Sequence, residues 1–582
     1  MITRVRLNNF KRFEEQTFDL SDHIVLAGPN NSGKSTLIQA IAVWQLALQR
    51  WIQRRGVQPK AKERTGIPIT RKDFSAIPLR DMKLLWKDNS TSLTKDELKE
   101  GQKLGWPKFM EIGLEGIGSN GQWELAFQFK HQSSEQIYIK PIGAAAERIP
   151  DDAVEMRAVH VPPFSGIGAE ETRYDGPYQD LLIGQGKPGD ILRNLLLEVF
   201  DAESKNGTEK PWTQLVEHVE EMFGYRLLQP QYTGRPFIIS EYLPNIPADN
   251  KGDGGLPRFD VSSAGSGFHQ VLLLLAFFYA RRASVLLLDE PDAHLHVILQ
   301  RQVYERLRSV AAERGCQLVI ATHSEVLIDG TSPDRIESFY GEPHRLINDV
   351  ERDQVREALK RVTAMELLLA EKGQGVLYVE GNTDLTLLSA WARVLNHPLA
   401  EWFRARAFVH PLRGSDPREA KGHFFALRGV RPHHGGFLLL DSDNRDLPDR
   451  EVTAQGLQIG RWIRYEAESY LMHPDALVRF VSRHLCKEDE PDLITIPAAD
   501  QAMNYLRDQL PPAFFRDPLS DHEFLTGLPV SKGLLPAFLQ AAGIDLPKRD
   551  YYLIAEAMRP DEVSPEVRQM LDTIAGALGV ST

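Results

Sequence analysis

Cysteine is nearly absent. The chain has two, Cys316 and Cys486, too few for a disulfide framework and in keeping with a reducing cytosol. Long apolar runs are missing too. The longest, residues 271–280, falls far short of the roughly 20 residues a membrane-spanning helix needs, and the opening MITRVRLNNFKRF has no apolar signal-peptide core. A cytoplasmic protein without a membrane anchor is expected. Basic residues are outnumbered, 68 Lys and Arg against 80 Asp and Glu for a net charge of −12, so the chain as a whole does not attract phosphate backbones, although a local basic surface can still bind nucleic acid. Repeats and low-complexity tracts do not occur. What remains is the balance of an ordinary soluble protein, 42% hydrophobic and 25% charged, and 582 residues are too many for one core.

Two stretches are locally basic. Residues 50–72 carry Arg50, Arg54, Arg55, Lys60, Lys62, Arg64, Arg71 and Lys72 against the single acid Glu63. Residues 404–434 carry Arg404, Arg406, Arg413, Arg418, Lys421, Arg428 and Arg431, with four histidines among them. Each reads equally well as solvated surface or as a phosphate-binding patch.

Along the chain, residues 2–18 read as a strand pair and 23–27 as a short buried strand. A glycine-rich turn follows, and 36–50 has helical spacing. Residues 51–257 mix strand-like runs (123–129, 157–161) with helical ones (190–200, 213–223), and 249–255 reads as a polar loop. From Ser262 onward, helix 268–281, strand 284–288, helix 300–314 and strand 317–321 alternate, which predicts a mostly parallel sheet covered by helices. Residues 349–371 read as one charged connecting helix. A second alternation, strand 376–379, helix 385–395 and strand 437–440, predicts another α/β domain.

The run Gly28-Pro29-Asn30-Asn31-Ser32-Gly33-Lys34-Ser35-Thr36 fits the phosphate-loop pattern G-x-x-x-x-G-K-[ST], with a strand before it and a helix after. Backbone N–H groups of such a loop cradle phosphates, and the helix N-terminus adds a favourable dipole. Lys34 would reach the β- and γ-phosphates and Ser35 would bind Mg²⁺. Four apolar residues, Val285 to Leu288, then deliver Asp289 towards that Mg²⁺ and Glu290 towards the attacking water. Two further pieces set the subclass. Gly265-Ser266-Gly267 opens a long helix at about the distance before Asp289 where ABC ATPases carry their signature, and His323, in Ala321-Thr322-His323-Ser324, stands where they place a switch histidine. In order and spacing the chain resembles an ABC ATPase of the branch containing SMC and RecF proteins. It departs from the pattern at the signature, where Phe268 and His269 replace the usual Gly-Gln. The stretch Asp292-Ala293-His294-Leu295-His296 resembles the OLD (overcoming lysogenisation defect) relatives of that branch. The resemblance implies two ATPs sandwiched between two such domains, hence a homodimer at least, and the long interval between loop and signature leaves room for an inserted dimerisation or helical subdomain at about 165–257.

In the second domain, Glu380 ends an apolar strand in Val376-Leu377-Tyr378-Val379-Glu380, and Asp384 follows near the start of a helix. Phe437-Leu438-Leu439-Leu440-Asp441-Ser442-Asp443 ends another strand. Residues i and i+2 of an extended chain face one side, so Asp441 and Asp443 can converge with Glu380 on one hard cation, Mg²⁺ or Mn²⁺. This resembles a TOPRIM domain, as in topoisomerases, primases and OLD nucleases. In the OLD family a further acid and a lysine support two-metal cleavage: Glu468 is the better match for the acid, with Glu466 the alternative, and Lys532 is a candidate for the lysine. The expected fold is therefore α/β throughout: an ABC-type ATPase domain over 1–345, a helical connector over 346–373, and a TOPRIM nuclease domain over 374–582.

The resemblance implies an ATP-binding, ATP-regulated, Mg²⁺- or Mn²⁺-dependent DNA endonuclease. OLD relatives include bacterial anti-phage effectors such as the Gabija nuclease subunit, and PARIS-type systems are similar, which implies a defence role and a partner protein from the same system. The competing reading is a DNA-binding ABC ATPase switch or repair sensor whose TOPRIM domain is an interaction module.

Overall fold

The computed structural model describes residues 1–74, 77–97, 103–206, 210–244, 257–373, 375–405, 407–412, 418–431, 433–442, 454–485 and 491–580. Loop 249–255, Arg406, Arg413, Asp443 and Cys486 lie outside the described residues. The chain divides into two compact units, Met1–Arg352 and Asp353–Thr582.

The first unit is built on two six-stranded sheets. One is wholly antiparallel, in the order Phe13–Asp19, Ile2–Phe10, Met110–Gly118, Gly121–Ser133, Gln136–Ile142, Ile67–Thr70. Its strands alternate between buried and exposed positions, as a sheet with one wet face requires. The other runs His344–Arg345, Ile336–Ser338, His23–Ala27, Gln317–Thr322, Val285–Asp289, Ala158–Val161, and all of it except His344–Arg345 is parallel. Its central strands are buried along their whole length, which is why they read as continuous apolar runs.

Helix Lys34–Arg55 packs on both sheets. It buries Trp44 and Trp51 fully, and the Trp44 indole donates to Leu125 O at 2.8 Å. This fixes the helix, and with it the loop that precedes it. Helices Leu192–Asn206 and Pro211–Phe223 pack on helix Ser266–Ala280. Within the span read as an inserted subdomain, 165–257, these two helices are therefore packed onto the helix that begins at Ser266 and belong to the same compact unit. Near its end a small antiparallel sheet joins Arg226–Leu227, Glu241–Leu243 and Phe259–Asp260.

The connecting segment is two helices rather than one, Asp349–Arg361 and Ala364–Lys372. The break is chemical. Thr363 caps the second helix, accepting from Glu366 N, while the Glu366 carboxylate accepts from Thr363 N at 2.7 Å.

In the second unit four parallel strands lie in the order Val409–Pro411, Gly375–Val379, Gly435–Leu440, Leu457–Arg461. Helix Asn382–Val394 and helices from the C-terminal part, among them Pro474–Leu485, Tyr552–Ala557 and Pro565–Ala577, cover it and share one apolar core. Among the described residues of the chain no helix is long and apolar enough to cross a membrane.

Candidate functional site

Strand His23–Ala27 delivers the loop that starts at Gly28, and Lys34 opens the following helix. Gly33 is held at φ 111°, and a Cβ there would stand 2.7 Å from Arg12 Cδ and 2.9 Å from Phe13 Cζ, so the turn requires glycine. Asn31 also takes a left-handed conformation, φ 63°, and its carbonyl accepts from Arg12 at 2.7 Å. Lys34 is buried, and its ammonium donates to Gly28 O and Pro29 O, both at 2.7 Å. Burial lowers its pKa, and Glu290, Asp289 and Asp292 oppose that shift. Asn30 and Asn31 are exposed, and Ser35 and Thr36 are half-buried at the head of the helix. Ser32 Oγ is buried without a hydrogen-bond partner, the kind of orphan donor that a phosphate oxygen satisfies.

Two strands away in the sheet, Asp289 meets this loop. Ser35 Oγ donates to Asp289 Oδ1 at 2.9 Å. Burial pushes the Asp289 carboxyl up to about 6, against the Ser35 hydrogen bond. The next residue, Glu290, sits at φ 51° with its N–H on Ala321 O at 2.9 Å. That turn places its carboxylate 3.4 Å from His323 Nδ1. The His323 contact holds Glu290 below the ordinary carboxylate range, and Glu290 in turn raises the imidazole. Asp292, raised by burial, accepts from Thr322 Oγ1 at 2.6 Å. Lysine, hydroxyl, two acids and a histidine thus converge on the end of a parallel sheet, the donor set that suits a Mg²⁺–nucleotide.

Ser266 is exposed at the first residue of its helix, and Gly267 beside it packs close to residues 294–299. The departures from the usual signature are structural. Phe268 joins a ring cluster with Phe223, Tyr225 and Tyr242, His269 Nε2 bonds Val261 O at 2.6 Å, and buried Gln270 donates to Pro291 O at 3.2 Å, beside the acidic turn.

In the second unit Glu380 and Asp441 follow adjacent parallel strands, and Asp441 N donates to Glu380 Oε1 at 2.9 Å. Asp441 Oδ1 accepts from Ala467 N at 3.2 Å, which draws in the segment carrying Glu466 and Glu468. Asp384 accepts from Gly381 N at 2.9 Å. Burial, with the Glu468 and Glu380 charges adding to it, pushes the Asp384 carboxyl up to about 7. Glu466 and Glu468 are both buried. They divide their partners: Glu466 accepts from Ser531 N at 2.5 Å and Ser531 Oγ at 2.8 Å, and Glu468 pairs with Lys548 Nζ at 2.7 Å.

The lysine of this cluster is therefore Lys548, which sequence reasoning missed. Lys532 ends a short 3-10 turn with its side chain exposed, because the fold aims the neighbouring Ser531 at the acids. Carboxylates gathered at one sheet end, with the Asp384 carboxyl driven up by burial and neighbouring acids, fit a hard divalent cation. Among the described residues three donor atoms come within 4.8 Å of one another at Glu366–His410–His423 and at His473–Asp475–Glu562, and not among Glu380, Asp384, Asp441, Glu466 and Glu468.

The two basic stretches fare differently from a simple patch. Arg64 pairs with Glu147 and Arg71 with Glu135. In the second stretch His410, His423 and His434 are buried and add nothing to a surface charge.

Comparison with known proteins agrees with the nucleotide site. The family described as "AAA domain, putative AbiEii toxin, Type IV TA system" matches residues 177–329, and the family described as "AAA ATPase domain" matches residues 1–46. No curated protein matches the chain. Similar solved structures include an SMC head bound to the C-terminal winged-helix domain of ScpA, at 15% identity over 58% of this chain and 93% of that one with TM-score 0.33. The SMC head domain from Thermotoga maritima matches at 13% identity over 58% and 94% with TM-score 0.29. Both family matches, to AAA ATPase domains, fall in the first unit.

Proposed function

We propose that the chain is an ATP-regulated, metal-dependent DNA endonuclease of the OLD kind, cytoplasmic, acting as a homodimer or higher homo-oligomer in bacterial anti-phage defence. The observation that carries this reading is the cluster of Glu380, Asp384, Asp441 and Glu468 with Lys548. It lies beyond the C-terminal ends of adjacent parallel strands, where α/β sheets place their ligand sites. It belongs to a chain whose other unit is an ATPase.

In the ATPase unit Lys34, Ser32 and the N–H groups at the head of helix Lys34–Arg55 hold the phosphates. Ser35 and Asp289 hold Mg²⁺. Glu290, kept ionised by His323, orients the attacking water. Ser266 and Gly267 serve the nucleotide of the partner subunit, which makes hydrolysis depend on dimerisation. In the second unit Glu380, Asp384, Asp441, Asp443 and Glu468 supply oxygen ligands to Mg²⁺ or Mn²⁺. Bound there, such ions activate a water and stabilise the leaving 3′-oxygen of a phosphodiester. Lys548, beside Glu468, offsets charge developing on the phosphoryl group. The exposed arginines of the second basic stretch hold the DNA backbone, which makes binding salt-sensitive.

The test is cleavage of supercoiled plasmid with Mg²⁺ or Mn²⁺ by the wild type and by Glu380→Ala. Nicking that needs the metal and disappears in the variant is expected. DNA binding without cleavage in any metal would favour the switch or sensor reading instead.

A further inference from the structure

Between the connecting segment and the parallel sheet of the second unit lies a buried group of side chains that the proposed chemistry does not use. Glu366 stands on helix Ala364–Lys372, His410 on strand Val409–Pro411 and His423 on helix Arg418–Val430. Glu366 Oε1 is 2.7 Å from His410 Nδ1 and 3.4 Å from His423 Nε2. The two imidazoles are stacked with centroids 4.1 Å apart. His423 is 1% exposed, and its Nε2, aimed at the carboxylate, has no hydrogen-bond partner.

The outer atoms of Glu366 and His423 are already engaged. Glu366 Oε2 accepts from Thr363 N at 2.7 Å and Thr363 Oγ1 at 2.8 Å, so the helix cap turns Oε1 towards the histidines. His423 Nδ1 lies 2.8 Å from the Tyr378 hydroxyl. His410 Nε2 lies 3.8 Å from the Glu419 carboxylate, too far for a hydrogen bond. His423 is thus held as metal-bound histidines are, one ring nitrogen free for the ion and the other on an oxygen that fixes tautomer and orientation.

We infer that Glu366, His410 and His423 form a binding site for a divalent transition-metal ion of the zinc type, which pins the connecting helix to the sheet. Two imidazoles and a carboxylate are the ligand types of zinc sites. The 3.4 Å between Glu366 Oε1 and His423 Nε2 matches the roughly 3.3 Å edge of a tetrahedron with bonds of about 2.0 Å, while the 2.7 Å between Glu366 Oε1 and His410 Nδ1 is a hydrogen bond that the ion would replace, turning the His410 ring out of its stack on His423. The fourth position is left to water or to Glu419. The comparable group His473–Asp475–Glu562 is a poorer candidate, because Arg479 already holds both Glu562 oxygens at 2.6 and 2.7 Å. An ion here would tie the helix to the sheet that carries Glu380, giving the second unit a structural dependence on metal apart from the Mg²⁺ or Mn²⁺ of cleavage.

The test uses the full chain, stripped with a chelator and titrated with Co²⁺ as a visible probe and then with Zn²⁺. The wild type should show d–d absorption of a nitrogen-ligated site that Zn²⁺ abolishes. Glu366→Gln and His423→Gln, checked for folding by circular dichroism, should each take up one equivalent less, and His473→Gln should match the wild type. Tyr378→Phe removes only the hydroxyl and should weaken zinc about 10-fold. No visible band in the wild type, or equal uptake in the Glu366 and His423 variants, would overturn the assignment and leave a hydrogen-bonded Glu–His cluster. If those variants do not fold, X-ray absorption of the zinc-loaded wild type decides: two imidazoles in the shell support the site, and one or none refutes it.

Discussion

Replacing Asp289 with Asn should stabilise the ATPase unit while destroying its metal chemistry. Asp289 is 5% exposed, and burial raises its carboxyl from 3.8 to about 6. The folded state therefore holds the proton more tightly than the unfolded one. Stability tied to this group is fully present below the unfolded value and is lost as pH rises through the folded one. Above about pH 6 the ionised carboxylate costs on the order of 3 kcal/mol. Asparagine is never charged and can still accept from Ser35, so it should recover most of that amount. Urea unfolding without nucleotide or metal should show Asp289→Asn more stable than wild type by about 2–3 kcal/mol at pH 7.5. The gain should fall to roughly half at pH 5 and fade towards pH 4. Mg²⁺ with nucleotide should reverse the order, because the cation replaces the missing countercharge for the wild type alone. A variant no more stable than wild type at pH 7.5, or a gain that does not change with pH, would refute the reasoning.

Lys548→Met should slow plasmid nicking by roughly 10²-fold or more through loss of charge stabilisation at the scissile phosphate, while Lys532→Met should cut like wild type; the reverse pattern would return the role to Lys532. Arg464 is 1% exposed, donates to Ser469 O, Leu519 O and Ser520 O at 3.2, 3.1 and 3.1 Å, and faces Asp521 at 3.3 Å. Arg464→Met orphans these carbonyls and should cost the second unit about 2–4 kcal/mol, read as a lower thermal midpoint. Gly33→Ala places a Cβ against Arg12 and Phe13 in a left-handed turn, and should abolish nucleotide binding in a filter or calorimetric assay while leaving the second unit's melting unchanged.

The nucleotide loop and the strand ending in Asp289-Glu290 were legible because each is contiguous in sequence and each carries its own structural context, strand before and helix or turn after. The Glu380 and Asp441 strands were legible for the same reason. Lys548 was not. It arrives from a short 3-10 turn, Lys548–Asp550, far along the chain from the acids of the cluster, and only tertiary packing sets it on Glu468. The Ser-Lys-Gly run around Lys532 drew attention instead, yet what that turn offers the acids is the hydroxyl and N–H of Ser531. The break at Thr363 was visible as Thr-x-x-Glu, a capping box inside what otherwise reads as one amphipathic helix. In the antiparallel sheet, strand Met110–Gly118 hides behind its glycines. Gly116 and Gly118 stand where a Cβ would come within 2.3 Å of Trp123 and of Asp152, so close packing requires the residue that weakens the strand signal. Charge counting over residues 404–434 could not separate surface arginines from histidines turned inward, because burial is not written in composition.

Coupling between nucleotide and cutting is best tested by timing plasmid nicking in Mg²⁺ for wild type, Glu290→Gln and Lys34→Ala, each with and without ATP. Glu290→Gln retains the phosphate-binding residues but loses the group that orients water, so it should hold ATP with hydrolysis slowed roughly 10²–10⁴-fold. The expected result is that ATP changes the nicking rate of Glu290→Gln at least as strongly as that of wild type, whereas Lys34→Ala cuts at one rate regardless of ATP. Identical nicking by all three proteins, indifferent to ATP, would contradict an ATP-regulated nuclease.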